Sequence, residues 1–232
     1  MGYCYAQRSR GLEVVIKLLD ASTSTGEVSV TMRRADGAVG YLKGDVLQTL
    51  VDARGRNLAA HVDAAVDVLL QEGASRILVL GFGGGAASTM LHQAGASVVS
   101  VDRDPCAKPL AELFFRAPPC LKVIVSDATA YVEQARAASF DGMFIDFQDS
   151  CATPAAYLSA SFWRAVGRVL KPGRMMIVNL TDWLYDGSDW ADFRRALGQG
   201  GFDAVALSHE YGDGNRILVS STLSQSIDKL VS

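Results

Sequence analysis

Residues 76–102 read RILVLGFGGGAASTMLHQAGASVVSVD. The apolar run Ile77, Leu78, Val79, Leu80 ends in the glycine-rich turn GFGGGA, residues 81–86. A stretch with helical character follows, then a second apolar run that stops at Asp102. This is the order of a nucleotide-binding βαβ unit. Gly81, Gly83 and Gly85 stand where a chain leaving a buried strand must turn without side chains in the way. A ligand can then reach the backbone and the N-terminus of the next helix. Asp102 lies about 20 residues beyond the glycines, where a carboxylate can accept hydrogen bonds from ribose hydroxyls. The turn departs from the dinucleotide fingerprint, because Ala86 and Ala87 follow a tighter glycine cluster. That spacing points away from NAD and towards another adenosine compound.

Outward from this unit the chain divides into two patterns. Residues 11–51 hold strand-like runs, LEVVIKLLD, VSVTMRR and AVGYLKGDVLQTLVD, separated by STSTG and ADG. They predict a small antiparallel β unit over residues 1–56. Residues 57–232 open with helical spacing at Leu58, Val62, Ala65, Val66, Leu69 and Leu70. Strands and helices then alternate. Strands are expected at Val98–Val101, Lys122–Val125, Gly142–Ile145 and Arg174–Leu180, and helices at Lys108–Phe115, Thr129–Ala138, Ser159–Leu170 and Asp189–Gln199. Lys171-Pro172-Gly173 reads as the turn closing the helix before it, and Phe202–His209 with Arg216–Ser221 as a terminal antiparallel pair. The pattern predicts an α/β fold, a mostly parallel doubly wound sheet covered on both faces. Ligands of such sheets bind at the carboxyl ends of the strands, where the strand order reverses.

Acids recur at those ends: Asp102, Asp127 and Asp146, with Asp149 just beyond. A strand-end Asp is often a helix cap, but three consecutive ones face a single edge. They suit sugar hydroxyls, an adenine amino group and a reacting nucleophile. Composition narrows the rest. The 232 residues carry a net charge of -3 with no overall basic footprint, which argues against nucleic acid as a partner. No apolar run is long enough for a bilayer crossing, and the first residues lack a signal-peptide core, so a cytoplasmic protein is expected. The four cysteines (Cys4, Cys106, Cys120, Cys151) form no C-x-x-C pair, and the three histidines are dispersed, so no metal site is expected.

From Asn57 onward these motifs resemble the spermidine synthase group within the class I S-adenosylmethionine-dependent methyltransferase superfamily. GFGGGA resembles that group's GGGDGG, and VVSVDRD its strand ending in an acid. SDATAYV resembles the segment that meets adenine, FDGMFIDFQDS resembles FDVIIxDSSDP, and EYGDGN resembles the YPSG turn. FWRAVGRVLKPGRMMIV resembles the helix, turn and strand between the last two. The resemblance implies a Rossmann-like methyltransferase fold and a cofactor, S-adenosylmethionine or its decarboxylated form. It also implies a small-molecule acceptor and a homodimer built partly through the N-terminal β unit. It places Gly81, Gly83, Gly85, Asp102, Asp127 and Ala128 at the cofactor, and Asp146, Asp149 and Tyr211 at the acceptor.

The departures bear on the reaction. Gly84 replaces the acid of GGGD, which in aminopropyl-transferring relatives holds the amine of the decarboxylated cofactor. A buried ammonium without its carboxylate is costly. Phe147, Gln148 and Ser150 replace the serines and proline of DSSDP, and NLAAHVDAA offers His61 and Asp63 where the relatives have a tyrosine-containing segment. Phe147 suggests a flat or apolar acceptor rather than a linear polyamine. Methyl transfer to an amine or hydroxyl is the leading reading. Aminopropyl transfer to a diamine and a non-catalytic or differently catalytic role on the same fold remain open.

Overall fold

The computed structural model describes residues 15–44, 46–148, 152–185, 187–202, 205–208, 210–211 and 214–221. Strands β1 (Val15–Thr23), β2 (Gly26–Arg33), β3 (Val39–Lys43) and β4 (Val46–Val51) form an antiparallel sheet in sequence order. The stretch read as one strand over residues 38–52 is two, divided at Gly44, whose φ of +54° suits a residue without Cβ. The inner face of this sheet (Val28, Val30, Tyr41, Val51) packs on Leu110 and Phe115. Leu110 lies in helix α3 (Ala107–Phe114), and Phe115 follows it directly.

The second sheet contains β5 (Arg76–Leu80), β6 (Ser97–Asp102), β7 (Lys122–Val125), β8 (Phe140–Ile145), β9 (Leu170–Thr181), β10 (Val205–Leu207) and β11 (Asn215–Ser221). Their spatial order is β10-β11-β9-β8-β5-β6-β7. Strands β5 to β9 are parallel, whereas β11 runs antiparallel to β9 and β10 antiparallel to β11. The helices are α1 (Ala60–Gln71), α2 (Ala86–Gln93), α3, α4 (Ala128–Gln134), α5 (Ala160–Val169), the short α6 (Asp182–Tyr185) and α7 (Trp190–Gln199).

The apolar run of β5 is continuous because both of its faces are buried. Ile77 and Val79 join the cluster under α1 and α2, while Leu78 and Leu80 join the cluster under α5 and α7. The second cluster is dense in rings: Trp163, fully buried, donates Nε1–H to the carbonyl of Tyr157 at 2.8 Å. Tyr157 is itself fully buried in this cluster.

Two of the boundaries that differ from the sequence expectation have a clear local cause. Helix α4 stops at Gln134 rather than Ala138, since Ala138 adopts φ +51° and its amide bonds to Arg168 across the turn. Lys171-Pro172-Gly173 is a bulge inside β9 rather than a plain turn, because Leu170 already pairs with Phe140. The order of the central strands reverses between β5 and β8, and the crevice this makes lies at their carboxyl ends.

Candidate functional site

Gly81 and Asp146 end the two strands that flank the reversal. The amide of Asp146 donates to the carbonyl of Leu80 at 2.7 Å, which brings the two chains together. Gly81 has φ +96°, and a Cβ on it would lie 2.3 Å from the carbonyl oxygen of Asp146. Only glycine fits there. Gly85 opens α2 with φ +79°, and its Cβ would lie 2.8 Å from the Phe82 ring.

The amides of the turn are engaged within the protein. Phe82 and Gly83 donate to Asp102 Oδ2 at 2.9 and 3.2 Å, and the amide of Asp104 donates to Oδ1 at 2.8 Å. Asp102 is therefore held rigidly beside the turn. A carboxylate has about four acceptor sites, so these three bonds leave capacity for a hydroxyl. Asp127 caps α4 by accepting from the amide of Ala130 at 3.0 Å, and its side chain is otherwise exposed. The capping role and a ligand role coexist, since capping uses Oδ1 alone. Ala128, the first residue of α4, is half-buried beside it. Val125, 58% exposed at the end of β7, offers an apolar surface between Asp102 and Asp127 that sequence reading missed. These residues fit an adenosyl group: acceptors for ribose hydroxyls and an amino group, an apolar wall, and a turn free of side chains.

Asp146 is half-buried, and Asn179 of β9 donates Nδ2–H to its Oδ1 at 2.8 Å. Asn179 is 3% exposed, and its own Oδ1 is buried without a donor among the described residues. Sequence reading missed this residue, although an Asn inside the apolar run MMIVNL was its visible signal. Tyr211 is half-buried against the α1-side cluster, its amide bonded to the carbonyl of Asn215 at 3.0 Å. Asp149 lies outside the described residues.

Phe147 corrects an expectation. Its ring packs edge-on against Tyr157 and Phe162, with centroids 5.1 and 6.0 Å apart, so it turns into the core. It is not the acceptor-facing aromatic wall the sequence suggested. His61 is buried in α1, and Asp63 takes a hydrogen bond from Asn57 at 2.8 Å, a local tie at the start of that helix.

The contact that sequence could not show comes from β4. Thr49 lies over the glycine turn, and its Oγ1 accepts from the amide of Gly84 at 2.9 Å. A Cβ at Gly84 would lie 2.8 Å from Thr49 Cγ2 and 2.9 Å from its Cβ. The space for an acid at position 84 is filled by the N-terminal sheet.

Elsewhere, Cys120 Sγ and His92 Nε2 are 3.3 Å apart at the amino-end edge of the sheet, a pairing the sequence separation hid. No three potential metal-ligating side chains come together among the described residues, and no described helix is long and apolar enough to cross a membrane.

Comparison with known proteins adds to this geometry. A family model described as "Methyltransferase domain" matches residues 78–178. No curated protein matches the chain. Among solved structures, a probable spermidine synthase from Corynebacterium glutamicum superposes with a TM-score of 0.77 at 18% identity, covering 91% of this chain and 82% of that one. Spermidine synthase from Thermotoga maritima gives 0.74 at 15% identity, over 93% and 76%. Human methyltransferase-like protein 13 in complex with SAH gives 0.57 at 23% identity, over 72% and 82%. The chain has the class I S-adenosylmethionine-dependent methyltransferase-like fold and, within it, resembles the spermidine synthases. The matches support a transferase of the S-adenosylmethionine type.

Proposed function

We propose that the protein is a methyltransferase that uses intact S-adenosylmethionine and methylates the amine or hydroxyl of a small acceptor. The observation that carries this reading is the filled space at Gly84: Thr49 stands where an aminopropyl-holding acid would need room. When bound, the cofactor supplies an electrophilic methyl group on a sulfonium. Asp102 would accept a ribose hydroxyl, and Asp127 Oδ2 the adenine amino group, with Val125 against the ring. Gly81, Gly83 and Gly85 keep the turn clear of side chains, and Ala128 backs the ring beside Asp127. Asp146, oriented by Asn179, would accept the hydrogen bond of the acceptor's N–H or O–H and take its proton as the nucleophile attacks. Tyr211 lies on the same side of the sheet as Asn179 and would border the acceptor. Positioning would supply most of the rate.

A second reading, aminopropyl transfer from the decarboxylated cofactor, is favoured by one observation: the superpositions on spermidine synthases cover 91% and 93% of the chain, against 72% for the methyltransferase. A cytoplasmic homodimer, with Asp149 as a second acceptor-side carboxylate, belongs to either reading. The small molecules released when the purified protein is denatured separate the two by mass. S-adenosylmethionine or S-adenosylhomocysteine is the expected species. Methylthioadenosine or decarboxylated S-adenosylmethionine would overturn the methyl-transfer reading.

A further inference from the structure

Arg216 stands at the carboxyl-end edge of the sheet. It is the second residue of β11, where Asn215 pairs with Thr181 and Arg216 with Leu180. Its neighbour Ile217 pairs with Asn179, the residue that orients Asp146. Strand alternation puts Asn179 and Arg216 one step apart in register on opposite faces of the edge. The Arg216 guanidinium lies 4.5 Å above the centre of the Tyr185 ring. Its Nε is buried and has no acceptor, and Arg216 makes no ion pair among the described residues. Other partly covered cations of this chain are satisfied: Lys43 by Asp104, Lys171 by Asp141, and Arg168 by the carbonyls of Val132, Glu133 and Ala135.

A guanidinium stacked on a ring at this edge, with no acceptor on it among the described residues, keeps its terminal nitrogens for a ligand. The planar fork of Arg matches a carboxylate through its two terminal nitrogens, and the aromatic face fixes the fork without using its donors. On the other side of the edge stands an acceptor, the half-buried Asp146 carboxylate. The edge thus offers an acceptor for an N–H or O–H group and a cation for an anionic group. A linear polyamine has nothing to give Arg216.

We infer that the acceptor is a small molecule carrying a carboxylate as well as its nucleophilic amine or hydroxyl, and that Arg216 holds the carboxylate. The inference rests on the methyl-transfer reading for its reaction, but the charge pattern can be tested by binding alone. The test is calorimetry on the full chain saturated with S-adenosylhomocysteine. The probes are glycine, β-alanine and 4-(aminomethyl)benzoate, each compared with its primary amide. They span short to long separations of amine and carboxylate. At least one acid is expected to bind about tenfold or more tightly than its amide. Arg216→Gln should abolish that preference while S-adenosylhomocysteine affinity is unchanged, and Arg216→Lys should retain part of it. A wild-type protein with no preference for any acid overturns the inference, whether or not the glutamine variant folds. So does a preference that survives in Arg216→Gln. Failure of the wild type to bind S-adenosylhomocysteine is a separate result, which counts against the cofactor reading instead.

Discussion

A Cβ at position 84 would meet Thr49 at 2.8 Å, and the Gly84 amide donates a hydrogen bond to the Thr49 hydroxyl. Gly84→Asp therefore forces the turn and β4 apart, and a loss of about 1–3 kcal/mol is expected from overpacking. Thermal melting measures it, and Thr49→Gly in the same chain should recover part of the loss, because contacting residues do not act additively. Asp146 tests the chemistry rather than the packing. Asp146→Asn keeps a partner for Asn179 and should retain cofactor affinity while lowering methyl transfer about 10²–10⁴-fold. Equal turnover in the variant would remove Asp146 from the reaction. The acids Asp102, Asp127 and Asp146 were legible in the sequence because each ends an apolar strand. Thr49 was not, because it reaches Gly84 from a different sheet. Phe147 misled for a related reason: its position beside Asp146 is visible in sequence, but the direction of its ring is set by Tyr157 and Phe162, which arrive later in the chain.

Two carboxylates join elements. Asp104 sits between the sheets, nearly without exposure. It accepts from Thr25 at 2.7 Å and from the amide of Cys106 at 2.9 Å, and it pairs with Lys43 at 3.2 Å. Burial alone would raise its pKa, but these three partners more than offset that and hold it below the ordinary carboxylate value. Asp104→Asn should loosen the N-terminal sheet before the rest, seen as faster amide hydrogen exchange in β2 and β3 than in β5 and β8. Uniform loss of protection would contradict this. Asp141 ties β8 to β5 and β9: Lys171 lies 2.5 Å away, and the Ser75 hydroxyl and the Arg76 amide donate at 2.7 and 3.1 Å. These contacts, Lys171 first, lower its pKa from 3.8 to about 2. Between those values the unfolded chain binds more protons than the folded one. The contribution of Asp141 is thus complete above about pH 4 and lost as pH falls towards about 2. In acid titrations, Asp141→Asn should flatten the stability curve in that window. Strands β5 and β8 and the second half of β9 could be read from sequence because burial on both faces leaves nearly unbroken apolar runs. The break at Gly44 and the bulge at Lys171–Gly173 could not, because both depend on which partner strand each residue meets.

Across the whole molecule, the strand reversal between β5 and β8 makes the ligand edge, and the N-terminal sheet closes over its glycine turn through Thr49 and Asp104. The fold class followed from element alternation and from one βαβ unit. The sheet order and the inter-sheet contacts needed three dimensions. We propose that this arrangement takes an intact adenosyl sulfonium, with Asp102 on its ribose and no acid at position 84 to hold an aminopropyl amine. Titration calorimetry of S-adenosylmethionine against decarboxylated S-adenosylmethionine, on the wild type and on Asp102→Ala, decides it. At least about tenfold tighter binding of the intact cofactor is expected, a difference of about 1.4 kcal/mol, with loss of that binding in Asp102→Ala. Equal or tighter binding of the decarboxylated form, or undiminished binding by Asp102→Ala, would rule it out.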